Sequence, residues 1–285
     1  MSIEDPTEEV AETGAPHLSP ERKAATAARV GDAYMEAGLF EEAIGEYRRA
    51  ATLDQGRLEW QINLGDAQTV CGHYRVAMKS YRRAIRRNPS NAEARYSLAE
   101  LWGRLGDFPA AVEEMNRAIE LRPKSHYYLY RLHSLFLWAG MLKEAFAALK
   151  RAVRISPGQS FYRFKLGRLL LQRGRPIAAV RQFQMASDLA PADGYYRLWL
   201  AVALLNAERP EQAATIAREG AAQSAFYGPV FWALASSIHD YLGEASEADQ
   251  CALNGGPLSE YDQHLLRIVQ SAIRWDGAVA SNPGY

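Results

Sequence analysis

Cysteine is scarce in this chain of 285 residues: there are two, Cys71 and Cys251, far apart, with no CxxC pair and no histidine-rich surroundings. That excludes a disulfide framework and a cysteine-based metal site, and it suits a reducing compartment. Neither sign of charge is in excess, because 33 Lys and Arg residues balance 33 Asp and Glu residues. Generic attraction to nucleic acid or to an anionic membrane is therefore not expected. No apolar run approaches the roughly 18 residues that a bilayer span needs, and no charged start followed by an apolar stretch marks a secretory signal. The expected location is cytoplasmic, with no membrane insertion.

Signatures of catalysis are missing as well. The six histidines, at positions 17, 73, 126, 133, 239 and 264, show neither HExxH nor any paired-ligand spacing. Phosphate-cradling glycine loops, Walker patterns and a Gly-x-Ser-x-Gly elbow are absent, and neither cysteine has a nucleophile's context. No catalytic residue, cofactor-binding residue or metal ligand is assigned, and the chain is read as non-enzymatic.

What is present is a period. Pro89, Pro123, Pro157 and Pro191 stand 34 residues apart, and alanine recurs at the same spacing through Ala43, Ala77, Ala111, Ala145, Ala179 and Ala213. A fixed period of this length signals a helix–turn–helix solenoid. Units beginning at Ala24, Leu58, Ala92, His126, Ser160 and Gly194 each provide a first (A) helix, a turn, a second (B) helix and a closing turn. Gly38, Gly72, Gly106, Gly140 and Gly174 fall where A helices must end, and glycine accepts the left-handed conformation there. The prolines cannot donate a helix-interior hydrogen bond, so they close the B helices.

Small residues at the eighth and twentieth positions let the two helices approach, and a large residue four places after the alanine fills the gap. The eighth position and its predecessor read Val30-Gly31, Leu64-Gly65, Leu98-Ala99, Leu132-His133, Leu166-Gly167 and Leu200-Ala201. The later pair reads Ala43/Tyr47, Ala77/Tyr81, Ala111/Met115, Ala145/Leu149, Ala179/Phe183 and Ala213/Ala217. His133, in place of a small residue, is expected to be packed rather than catalytic.

These residues resemble the tetratricopeptide repeat, whose pattern is W-x2-L-G-x2-Y, then A-x3-F, then P. The resemblance implies an all-α, right-handed superhelical solenoid of helix–turn–helix repeats with a C-terminal capping helix. Expected boundaries are an acidic disordered or partner-ordered tail over 1–20, six repeats over 21–227, a degenerate seventh helix pair and capping helix over 228–275, and a tail over 276–285. The N-terminal segment carries Glu4, Asp5, Glu8, Glu9 and Glu12 without Lys or Arg, leaving the rest of the chain net positive by five. Ser19 and Pro20 read as the cap and first residue of the first helix.

The family's concave surface comes mainly from A helices, where positions 2, 6, 9 and 13 form one stripe. In the first three units these are Ala25, Arg29, Asp32 and Glu36; Glu59, Asn63, Asp66 and Val70; Glu93, Ser97, Glu100 and Arg104. That half is acidic. The next three units give Tyr127, Arg131, Ser134 and Trp138; Phe161, Lys165, Arg168 and Gln172; Tyr195, Trp199, Val202 and Asn206. That half is aromatic and basic, and Tyr127, Arg131, Trp138, Phe161, Lys165, Arg168, Tyr195 and Trp199 are its candidate protein-binding residues. Rings beside cations suit an acidic peptide or protein with apolar anchors.

Neither the lysine–asparagine carboxylate clamp of chaperone adaptors nor an asparagine ladder at the sixth position is present; only Asn63 matches the latter. The basic cluster Lys79, Arg82, Arg83, Arg86 and Arg87 lies on a B helix, the outer face in this family, and reads as solvated surface. The expected function is a non-catalytic scaffold, adaptor or assembly factor that holds a peptide or subunit in its groove. Alternatives are an accessory subunit of a larger enzyme complex and, more distantly, an RNA-associated protein. The acidic tail competes for the same groove, within its own chain or by linking two copies.

Overall fold

The structure is a computed structural model, and it describes residues 18–273. The acidic tail expected over 1–20 lies outside the described residues up to position 17. Trp275 and the tail expected over 276–285 lie outside them altogether. Among the described residues there are fifteen α-helices and no strand, and the chain divides after Pro123 into two units.

The first unit comprises α1 (Pro20–Glu36), α2 (Phe40–Leu53), α3 (Leu58–Val70), α4 (Tyr74–Arg87), α5 (Ala92–Arg104) and α6 (Phe108–Leu121), each packed on the next. Ser19 caps α1 by accepting the Arg22 N–H at 3.4 Å, with Pro20 at the helix start. Asn91 and Asp107 cap α5 and α6 in the same way, accepting from Ala94 and Ala110. The A-to-B turns pass through Gly38, Gly72 and Gly106 at φ of +75°, +79° and +81°, where a side chain would be strained. Ala43, Ala77 and Ala111 are completely buried at the helix crossings. At Gly65 the approach is closest: a Cβ there would stand 2.5 Å from the Tyr81 ring.

The second unit continues the 34-residue spacing. It holds α7 (His126–Trp138), α8 (Leu142–Ile155), α9 (Ser160–Gln172), α10 (Pro176–Leu189), α11 (Gly194–Asn206) and α12 (Pro210–Gln223). His133 is buried, and its Nδ1 lies 3.0 Å from the Ala145 carbonyl. That contact assigns the ring proton to Nδ1, because a carbonyl only accepts. Burial also holds the imidazole below its ordinary pKa, which keeps it neutral. The sixth A-to-B turn breaks the glycine rule: Glu208 occupies it at φ +58°. A second alanine series, Ala50, Ala84, Ala118, Ala152 and Ala186, gives way to Gly220 in the sixth hairpin. The Phe231 ring fills that space, 2.6 Å from where a Cβ would stand.

Beyond the sixth hairpin come α13 (Gly228–Leu242), α14 (Ala245–Gly255) and α15 (Glu260–Ser271). Gly256 and Pro257 separate α15 from the hairpin. Ser259 starts it with a capping box, in which its hydroxyl accepts from the Asp262 N–H and the Asp262 carboxylate accepts from the Ser259 N–H. Leu265, Val269 and Ile273 are buried at four-residue intervals, and α15 packs on α13 and α11.

Candidate functional site

The A-helix face of the first unit carries carboxylates that are held in place. Tyr47 donates to Asp32 at 2.7 Å and Tyr81 donates to Asp66 at 2.6 Å. Gly31 and Gly65 provide the room for those two rings. Asp66 is exposed at its surface, yet neighbouring atoms crowd its carboxyl. Loss of hydration, countered in part by hydrogen bonds from Tyr81 and Ser97, pushes it up to about 6. Ser97 was expected on the surface stripe; it is buried, because its hydroxyl turns in toward Asp66.

All eight candidate binding residues fall in the second unit, on three A helices. Tyr127, Arg131 and Trp138 belong to α7, Phe161, Lys165 and Arg168 to α9, and Tyr195 and Trp199 to α11. Tyr127, Phe161 and Tyr195 occupy the same helical position, and the first two are 45% and 40% exposed. Trp138, at the far end of α7, is 57% exposed. Trp199 is different. It is 3% exposed, packed against Phe164, Phe183 and Tyr195, and covered by the Arg168 guanidinium. Its place is beneath the surface rather than on it.

The ladder is continuous because rings outside the position 2, 6, 9 and 13 stripe join it. Tyr130 sets its ring edge to Phe161 at 5.4 Å and stacks on Tyr162 at 5.1 Å. Phe164 does the equivalent next, with Tyr195 at 5.3 Å. Both sit at the fifth position of their repeats. The signal was legible as Tyr130, Phe164 and Leu198, an apolar series at one repeat position.

Lys165 Nζ stands 5.0 Å from the Phe161 ring centre and Arg168 lies 4.9 Å over Trp199. Both cations are half-buried, and the described residues supply neither with a carboxylate partner. Burial first, then the neighbouring Arg168 charge, holds the Lys165 ammonium below the ordinary lysine range. A half-buried pair of like charges attracts an anion more strongly than exposed charges do.

At the end of the ladder Tyr195 meets the chain's own C-terminal region. Tyr195, Tyr227, Tyr261, His264, Leu265 and Ile268 line a recess of about 310 Å³. Phe226 joins it, edge-on to Tyr227 and 5.5 Å from Tyr261.

No group of three or more metal-ligating side chains exists among the described residues. No described helix is long and apolar enough to cross a membrane. Cys71 and Cys251 are free thiols, each held above its ordinary pKa chiefly by burial.

A sequence model described as tetratricopeptide repeat matches residues 62–126, 103–160 and 164–227. No curated protein matches the chain. Among solved structures it is similar to pilF of Pseudomonas aeruginosa, at 16% identity and a TM-score of 0.58 over 71% of this chain and 92% of that one. YrrB, described as a TPR protein with an unusual peptide-binding site, aligns at 19% identity and 0.53, over 66% of this chain and 97% of its own. A tetratricopeptide repeat protein from Parabacteroides merdae aligns at 16% and 0.52, over 87% and 98%. At these identities the likeness is one of fold.

Proposed function

Because this chain belongs to the tetratricopeptide repeat family, we propose that it is a non-catalytic scaffold, adaptor or assembly factor that holds a protein partner on the A-helix face of its second unit. One observation carries the reading. Lys165 and Arg168 are half-buried against aromatic rings and have no carboxylate from the described residues to neutralise them. A partner with acidic side chains and apolar anchors meets both needs at once. Rings beside cations are the side chains that dominate interface energetics, and a cation over a ring adds about 0.5–2 kcal/mol. YrrB, with its own peptide-binding site, supports the general role of such an array and not the identity of a partner. The cytoplasm suits the two free thiols.

The test begins with co-purification from the native host and identification of the bound protein by mass spectrometry. Binding is then measured for Lys165→Glu with Arg168→Glu, beside a control reversing Arg83 and Arg87 on α4. Loss in the first variant alone supports the reading. Loss only in the control moves the contact to the B-helix side and favours an accessory subunit that docks through that surface. A steep salt dependence of the parent's binding, lost when Arg83 and Arg87 are reversed, would indicate RNA.

A further inference from the structure

Among the described helices α4 is the most cationic. It carries Arg75, Lys79, Arg82, Arg83, Arg86 and Arg87 and no carboxylate. All six are exposed, while Ala77, Ser80, Tyr81 and Ala84 are buried, so the charges share the outward side of the helix. Arg75, Lys79, Arg83 and Arg87 follow at four-residue intervals, which sets them one above the next, with Arg82 and Arg86 beside the row. The described residues give none of the six a carboxylate partner. The Arg82 guanidinium lies 5.8 Å from the centre of the Trp102 ring, and Arg87 donates to the Gln55 carbonyl and side-chain oxygen. Like charges at this spacing repel one another, and an anion laid along the row relieves that repulsion.

The chain holds such an anion. Residues 1–17 contain Glu4, Asp5, Glu8, Glu9 and Glu12 and neither Lys nor Arg. Their spacing repeats that of α4, because Glu4, Glu8 and Glu12 are four apart, with Asp5 and Glu9 beside the first two. The path between them is short. Successive helices of the first unit run back and forth through tight turns, so α1 begins at the end of the unit where α4 finishes. The contact of Arg87 with Gln55, in the connection from α2 to α3, holds the last residue of α4 at that end. Packed helix axes stand about 8–10 Å apart, and the stretch from Glu12 to Pro20 reaches up to roughly 26 Å when extended. The A-helix face of the second unit offers only Lys165 and Arg168, both half-buried. α4 offers six exposed cations in the unit that the segment itself enters.

We propose that residues 4–12 dock along α4 of their own chain, with their carboxylates on the row from Arg75 to Arg87, and so keep the B-helix surface closed to other polyanions. An external polyanion, RNA included, reaches α4 only by displacing this segment. The proposal concerns the surface opposite the partner face assigned above and stands independently of it.

The experiment is carbodiimide cross-linking of the full chain, which joins a carboxylate to a lysine ammonium only where the two are in contact, followed by peptide mass spectrometry. Lys79 is the lysine of α4, and Lys165 reports on the A-helix face. The expected product joins Lys79 to Glu4, Asp5, Glu8, Glu9 or Glu12. Its yield should fall about tenfold or more in about 1 M salt, where the screening length is roughly 3 Å, and equally in Arg83→Glu with Arg87→Glu. Glu8→Lys with Glu9→Lys, which leaves the described fold untouched, replaces the α4 variant if that one unfolds. A mixture of isotopically heavy and light chains tells whether one chain supplies both groups. Products uniform in label support the proposal, whereas mixed products would put the segment on a second copy and overturn it. Products at Lys165 in place of Lys79, or at neither lysine, would overturn it as well.

Discussion

The Tyr81 hydroxyl donates to the Asp66 carboxylate at 2.6 Å, from a B helix across to the A helix of the same hairpin. Tyr47 and Asp32 repeat the contact 34 residues earlier. In the fifth hairpin Phe183 has no hydroxyl to give, and the ninth-position residue is Arg168 instead of an aspartate. The tyrosine–aspartate pair therefore belongs to the first two hairpins.

Asp66 makes stability depend on pH in a direction opposite to most carboxylates. Its folded-state pKa is raised from an ordinary 3.8 to about 6, so the native state binds the proton more tightly than the unfolded chain. The contribution is present in full below about 4 and is lost as pH rises through about 6. The side chain keeps contact with water, so the effect is modest. Thermal melts of the parent and Asp66→Asn, compared between pH 4 and pH 7, are expected to show the parent losing ground as pH rises. A difference that stays flat across that range would contradict this.

Ala111 is completely buried between α5 and α6, whereas Asn116 on the same helix is exposed. Ala111→Trp should lower stability by about 1–3 kcal/mol or more through overpacking, while Asn116→Trp should stay within about 0.5 kcal/mol of the parent. Urea unfolding measures both. Equal midpoints would mean that the two positions do not differ in packing as described.

Glu208 holds a left-handed backbone where five preceding turns use glycine. The conformation costs an L-residue roughly 1–2 kcal/mol, so Glu208→Gly should stabilise the second unit by about 1 kcal/mol after the added entropy of the unfolded chain is subtracted. A melting temperature lowered by the substitution would refute the strain.

Ending the chain after Gly256 removes α15 and uncovers Tyr195 and the adjoining faces of α11 and α13. Hydrogen exchange should then show protection falling first across α11 and α13, with aggregation at raised concentration. Unchanged protection there would show that α15 covers nothing of consequence.

The repeat architecture was legible because its determinants are local. Gly38, Gly72, Gly106, Gly140 and Gly174 do take positive φ, and α3, α5, α7, α9 and α11 begin at the residues the period marks. Those signals act within one hairpin. The binding face was less legible, because whether a side chain at a stripe position is covered depends on a helix elsewhere in the chain. Trp199 shares the repeat position of Lys165, yet it is buried against Phe164, Phe183 and Tyr195 beneath the Arg168 guanidinium of the preceding repeat. Ser97 differs for a similar reason: its spacing is that of a surface residue, but it is buried, with its hydroxyl bonded to Asp66 of the preceding repeat.

Most helix packing in the two units joins helices adjacent in sequence, and the A-helix ladder adds contacts to the next repeat, so each hairpin can form as soon as its own residues are available. The contact between Asn206 and Ala272 is of another kind, spanning 66 residues. It has to wait until α12, α13 and α14 are in place, since closing so long a loop early brings entropy loss without contacts to offset it. The order of assembly is therefore written into the connectivity. Hairpins are expected to form first and the docking of α15 last, since the aromatic recess is completed only when Tyr261, His264, Leu265 and Ile268 of α15 join Tyr195 and Tyr227.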